Sequence, residues 1–172
     1  MKYLIILFIL AFSVSYSDEV SLNATVEYPE KKSNRTRIEL IVEISNNSEN
    51  LVSIGEKNGM LMETYIELWS LGKGVIVRNR TDAEWRREQA FALNPSIGMK
   101  PGEKKTYTYV LDELMPDDPD NDELSKSIIQ NITRYGYGKG RIVLQFLNSE
   151  NKHCEADCTF DIKKEKSDKT TR

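Results

Sequence analysis

Apolar and polar residues alternate along most of this chain, the pattern of strands that bury one face and leave the other in water. Val20, Leu22, Ala24, Val26 and Tyr28 alternate with Ser21, Asn23, Thr25 and Glu27, and Ile38, Leu40, Val42 and Ile44 repeat the pattern against Arg37, Glu39 and Glu43. Asn46-Asn47 then supplies a turn, and Val52 and Ile54 continue the alternation briefly. After a loop over 55–59, strands over 65–69 and 75–78 form a hairpin joined through Leu71-Gly72-Lys73-Gly74, because glycine takes the positive φ that a tight connection needs. Pro101-Gly102 fits the centre of a type II turn before a strand over 105–111, and two more strands follow over 141–147 and 156–163. Two stretches break the alternation. Thr81-Asp82-Ala83-Glu84 matches a capping box and predicts a short helix over 83–91; Asp122, followed by Leu124, Ile128 and Ile132 on one face, predicts a second.

Seven or eight short strands punctuated by turns argue for antiparallel pairing, since a parallel sheet needs helices between most strands. The expected fold is all-β: an immunoglobulin-like antiparallel β-sandwich with one or two short helical insertions. Residues 18–163 form that single domain, and the charged stretch 164–172, which lacks apolar residues, reads as a disordered tail.

A resemblance adds to this reading. Arg37-Ile38-Glu39-Leu40-Ile41-Val42-Glu43-Ile44-Ser45-Asn46-Asn47-Ser48, then Tyr65-Ile66-Glu67-Leu68-Trp69, then Met99-Lys100-Pro101-Gly102-Glu103 before a strand and Tyr137-Gly138-Lys139-Gly140 before another, is similar to the bacterial intracellular proteinase inhibitor family. It loosely covers residues 37–146. The resemblance implies an immunoglobulin-like sandwich first and an inhibitory activity second.

The N-terminus changes where these strands are expected to work. Lys2, an unbroken apolar run from Leu4 to Phe12 and the small residues of Ser15-Tyr16-Ser17 have the order of a secretory signal peptide over 1–17. The run is shorter than the roughly 20 residues a helix needs to span a bilayer. The expected product is secreted or periplasmic, without stable membrane insertion after cleavage. A formal net charge of −3 offers phosphate backbones no attraction, so nucleic acid is not an expected partner. Five Asn-X-Ser/Thr triplets begin at Asn23, Asn34, Asn46, Asn79 and Asn131. In a eukaryotic secretory pathway they are candidate glycan acceptors and must then lie on the surface; in a bacterial source they are chance triplets.

The candidate chemistry is sparse. His153-Cys154-Glu155-Ala156-Asp157-Cys158 gathers ligand types around the one histidine, but three good donors at this spacing fall short of a zinc site. In an oxidising compartment Cys154 and Cys158 are expected to bridge, provided the chain bends sharply between them, since four extended residues place their Cα atoms about 13 Å apart. Asp118, Asp120 and Asp122 imitate the start of a calcium loop, yet its sixth position is Glu123 and its twelfth Ile129. No cofactor is expected. No Gly-X-Ser-X-Gly or His-Glu-X-X-His motif is present, and the chain does not read as an enzyme. Recognition residues are expected instead: Trp85, Arg86 and Arg87 on the first helix, and Tyr135 and Tyr137 on a flexible glycine-rich loop. The expected function is protein binding by a secreted or periplasmic module, an inhibitor or immunity factor against an extracellular enzyme or toxin. The alternative is a structural or surface accessory protein that self-associates.

Overall fold

A computed structural model describes residues 19–29, 37–88 and 96–163, except the side chains of Trp85, Arg87 and Glu88. The expected signal peptide over 1–17, the Asn34 triplet and the expected tail over 164–172 lie outside the described residues. The chain is all-β, with antiparallel sheets and few helices. In order the elements are β1 (Val20–Glu27), β2 (Glu39–Asn46), β3 (Val52–Lys57), β4 (Met60–Leu61), β5 (Thr64–Ser70), β6 (Lys73–Arg78), α1 (Arg80–Glu88), β7 (Ser96–Met99), β8 (Lys104–Val110), β9 (Met115–Pro116), α2 (Asp122–Tyr135), β10 (Tyr137–Leu147) and β11 (His153–Lys163).

A three-stranded sheet runs β1-β2-β8. The larger sheet runs β4-β3-β10-β5-β6-β9, with β7 beside β3 and β11 beside β10, and it is curled into a half-barrel. Strand β10 organises it: one edge pairs with β11 from Tyr137 to Leu147, while the other serves β5 along Lys139–Leu144 and then β3 at Phe146 and Leu147. The alternation read from the sequence gives each sheet an apolar face, and these faces share one core. Leu22, Leu40, Val42 and Ile44 of the small sheet join Ile66, Leu68, Ile142, Leu144, Phe146 and Phe160 of the large one. Helix α2 adds Ile128, Ile129 and Ile132 to that core.

Several local expectations are corrected. The strand β3 runs on to Lys57, so only Asn58-Gly59, both at positive φ, form the turn there. The β5–β6 hairpin turns on Leu71-Gly72 alone; Lys73 and Gly74 already belong to β6. Helix α1 begins at Arg80 because Asn79, and not Thr81, caps it: Asn79 Oδ1 accepts from Asp82 N at 2.9 Å. The Pro101-Gly102 turn has the expected form, with Gly102 at φ 73° and Glu103 N donating to Lys100 O at 3.0 Å.

The expected Cys154–Cys158 bridge is also corrected. Cys154 and Cys158 are not disulfide-bonded, and β11 is continuous from His153 to Lys163, so the sharp bend that a bridge requires is absent. Among the sequons, Asn23 is exposed and Asn131 half-buried, but Asn46 and Asn79 are buried and cannot carry glycans in this fold. Asn46 Nδ2 donates to Asn50 O and Met99 O at 2.8 and 2.9 Å, and Asn79 Nδ2 donates to Leu61 O.

Gly140 shows how tightly β10 meets β11. It pairs with Phe160, whose ring lies over the glycine: a Cβ there would sit 2.1 Å from Phe160 Cζ. Gly140→Val should therefore displace a core ring and cost about 1–3 kcal/mol, measured by urea denaturation; an unchanged midpoint would contradict this packing.

Three phenols make stability sensitive to alkali. Burial pushes Tyr28 up to about 12 from its ordinary 10.0. Burial also raises Tyr109, and it raises Tyr107, whose hydroxyl donates to Glu56 Oε2. A folded value above the unfolded one means that the stabilisation is complete below pH 10 and is lost as pH rises toward the folded value. Urea denaturation below pH 10 and near pH 12 should show that loss, with Tyr28→Phe removing part of it; equal stability across the window would contradict it.

Candidate functional site

The outward face of the larger sheet can be read row by row from the register. Asp161, Lys139, Trp69 and Gly74 lie side by side across β11, β10, β5 and β6, and Thr159, Arg141, Glu67 and Ile76 form the next row. Lys139 pairs with Trp69, so carrying the same register two residues further brings Tyr137 beside Leu71 at the hairpin tip. Tyr135 sits two residues earlier, where α2 ends on Gly136 in the left-handed conformation.

This end of the sheet collects exposed apolar surface. Trp69 is 40% exposed, Leu71 73%, Ile76 43%, Tyr135 60% and Tyr137 55%, and these are five of the seven large apolar or aromatic side chains exposed among the described residues. The other two, Leu51 and Met60, lie elsewhere on β3–β4 and its approach. Isolated exposed apolar residues are ordinary, but a contiguous group is a mark of an interaction surface.

Local sequence explains how these side chains are held. Leu71 has φ 53° and Gly72 φ 76°, the two positive angles of a type I′ hairpin turn. Leucine in that conformation costs about 1 kcal/mol, and with most of its surface in water it gains little packing in return. Trp69 is positioned by its cross-strand partner Gly74: a Cβ there would lie 2.6 Å from the indole Cδ1, so the ring rests on bare backbone. Arg134 stacks on the Tyr135 ring at 5.5 Å. Ion pairs border the patch, Lys163 Nζ to Asp161 Oδ2 at 2.8 Å and Arg141 Nε to Asp157 Oδ2 at 2.8 Å.

Beside Trp69 and Ile76 a groove of about 460 Å³ opens between β6 and the connection to α2, with Glu67, Asp117, Asp118 and Leu124 in its walls. Strand β9 pairs with β6 only at Val77 and Arg78, and Asp117 N donates to Ile76 O at 3.0 Å. Among the described residues no strand lies against this edge from Lys73 to Val75. Because alternate residues of a strand point their backbone groups to the same side, Gly74 turns its N–H and C=O toward the groove.

The expected recognition residues divide between two places. Tyr135 and Tyr137 are in the patch, although not on a loop: Tyr135 closes α2 and Tyr137 opens β10, and Gly138 and Gly140 are strand residues. Arg86 lies on α1, which starts beyond the far end of β6, about 16 Å of strand from the hairpin turn. There Arg86 Nε faces Asp82 Oδ1 at 3.5 Å, part of a buried polar hub. Trp85 and Arg87 belong to the same helix backbone, and their side chains lie outside the described residues. The geometry thus does not join the α1 residues to the tyrosines.

In that hub Arg78 donates from Nε to Asp117 Oδ1 and from Nη1 to Thr64 O at 3.1 Å and Asp82 Oδ2 at 3.3 Å, while its guanidinium lies 5.4 Å from the Tyr65 ring centroid. Asp82, 1% exposed, also accepts from Glu63 N. The hub ties β5, β6, α1 and the β9 connection together.

Sequence reasoning passed over Trp69, Leu71 and Ile76. Their signal was parity: Ile66 and Leu68 mark the buried side of β5, which places Trp69 outward. The other candidate ligands do not converge. Alternation along β11 sends His153, Glu155 and Asp157 to one face and Cys154 and Cys158 to the other. Asp118 is spent on a turn, accepting from Asp120 N and Asn121 Nδ2, and Asp122 pairs with Lys126 at 2.6 Å. Among the described residues no group of three His, Cys, Asp or Glu is placed to hold a metal ion, and no helix is long and apolar enough to cross a membrane.

No protein family matches the chain, and no curated protein does. Among solved structures it is similar to the Northeast Structural Genomics Consortium target SoR45, at 13% identity over 85% of this chain and 87% of the other, with a TM-score of 0.50. It is similar also to a Bordetella pertussis protein assigned as ApaA, at 12% identity over 84% of this chain and 92% of the other, with a TM-score of 0.51. At such identities the likeness is one of fold alone, and neither description refers to a proteinase inhibitor.

Proposed function

We propose that this protein is an exported binding module that grips another protein through the apolar end of its larger sheet, acting as an inhibitor or immunity factor against an extracellular enzyme or toxin. Export rests on the leader-like order of residues 1–17. The scaffold is read as an immunoglobulin-like sandwich whose larger sheet is curled, a reading supported by two antiparallel sheets that share one core.

The observation that carries the functional reading is the gathering of Trp69, Leu71, Ile76, Tyr135 and Tyr137 at one end of the molecule. Tryptophan and tyrosine are the residue types that dominate binding energy at protein interfaces. The strained Leu71 points the same way, since a position that sacrifices stability for an exposed apolar side chain is expected where that side chain is used. The alternative, a self-associating accessory subunit, draws on the free edge of β6.

Leu71→Asn separates folding from binding. Asparagine tolerates the left-handed conformation, so the variant should gain about 0.5–1 kcal/mol of stability while holding its protein partner less tightly. Urea denaturation and partner capture measure the two halves. A variant that is more stable and captures its partner as well as the parent would remove Leu71 from the binding surface.

A further inference from the structure

We propose that the partner is engaged by strand addition: an extended, lysine- or arginine-bearing segment of it lies along the free edge of β6, hydrogen-bonded to the backbone of Gly74. The inference deepens the binding-module reading and rests on it. Three features of the site favour this occupant. The edge beyond Val77 has no strand beside it among the described residues, and the alternation fixed by the Asp117 N to Ile76 O bond turns the Gly74 N–H and C=O outward. Gly74 has no side chain to stand in the way of a second backbone, and its own strand is backed by the Trp69 ring. The groove walls hold Glu67, Asp117 and Asp118 and no basic residue, and the segment from Asp112 to Glu123 contains seven acidic residues and no basic one.

The chemistry of the occupant follows from those walls. In an extended segment alternate side chains point to opposite faces. One set would lie on the outward face beside Trp69, Ile76 and Glu67, which calls for lysine or arginine, the stem on the apolar side chains and the charge toward the carboxylates. The other would face Val75 and Leu124, which calls for apolar residues. Arg78 already pairs with Asp117 and Arg141 Nη1 lies 3.9 Å from Glu67 Oε1, so Asp118, whose oxygens accept, among the described residues, only from the neutral Asp120 N–H and Asn121 amide, supplies most of the attraction. A second copy of this chain fits less well, because its own β6 edge would bring the same acidic walls against these.

The test uses the full chain and a capped heptapeptide of alternating valine and lysine at millimolar concentration, compared with the same peptide N-methylated at its valine amides. Hydrogen exchange of the Gly74 amide and the indole fluorescence of Trp69, read in a Trp85→Phe background, report binding. Strand addition predicts that the unmodified peptide slows Gly74 exchange by about tenfold or more, that N-methylation abolishes the effect, and that Asp118→Lys weakens binding roughly fivefold, more so at low salt. Equal binding of the N-methylated peptide, or no protection of Gly74 by either peptide, overturns the proposal. So does Gly74 protection that appears without peptide and grows with protein concentration, since the edge would then belong to a second copy. Failure of the underlying reading looks different: the native partner would be captured equally by Trp69→Ala, whereas a wrong strand-addition model leaves that capture sensitive to Trp69 and Gly74 unprotected.

Discussion

Arg78→Met should cost about 3–5 kcal/mol of folding stability, the range seen when one partner of a buried ion pair is removed. Arg78 and Asp82 have side chains only 8% and 1% exposed, so water cannot take over the lost contacts. Among the described residues, the substitution leaves the Asp82 carboxylate with only the longer contact to Arg86 Nε at 3.5 Å and the Glu63 N–H, and leaves Thr64 O without the guanidinium. Asp117 is the lesser part of the loss because its side chain is 39% exposed and can be hydrated. Adding Asp82→Asn to Arg78→Met removes a buried charge left with only the Arg86 contact and should recover about 1 kcal/mol. Urea denaturation of both variants checks the pair. A loss below about 1 kcal/mol for Arg78→Met would show that the hub does not hold α1 and the β9 connection onto the sheet.

Trp69→Ala is expected to do the opposite, leaving the fold standing and removing most of the binding. The ring lies on Gly74 at the surface, so its loss should cost about 1 kcal/mol of stability or less. At a recognition surface a truncated tryptophan costs about 2 kcal/mol or more, roughly a thirtyfold loss of affinity. Titration of the captured partner against parent and variant gives the ratio, and circular dichroism confirms that the variant is folded. An affinity within about threefold of the parent would take Trp69 out of the interface.

The strands were legible because burying one face of a sheet imposes a period of two, which β1 follows from Val20 to Thr25 and β2 from Glu39 to Ile44. Where side chains are missing, the pattern falls silent: Gly136, Gly138 and Gly140 look like a loop in sequence, although two of them lie in β10 and are glycine because Ile132 and Phe160 occupy the space a Cβ would need. The cysteines misled for a related reason. Compartment chemistry favours a bridge, but β11 keeps its extended form over both residues because every position from His153 to Lys163 pairs with β10. Whether the sequons at Asn46 and Asn79 lie on the surface was open in the sequence, since a buried amide satisfying backbone carbonyls has the same local sequence as an acceptor. The exposed apolar patch was half visible. Tyr135 and Tyr137 are rich in contact area on their own, whereas Trp69, Leu71 and Ile76 join them only through the pairing of β5 with β10 and β6, a long-range fact that no local window contains.

The proposed function places a protein partner on the apolar end of the larger sheet. It is tested most directly by producing the C-terminally tagged full chain in its native cell, as parent, as Trp69→Ala/Tyr137→Ala and as Arg86→Ala, and quantifying what each recovers from the extracellular or periplasmic fraction by mass spectrometry. One stoichiometric protein is expected with the parent and with Arg86→Ala, and its loss with the double variant. Equal recovery with the double variant, or a loss confined to Arg86→Ala, would contradict it and move the binding surface to α1.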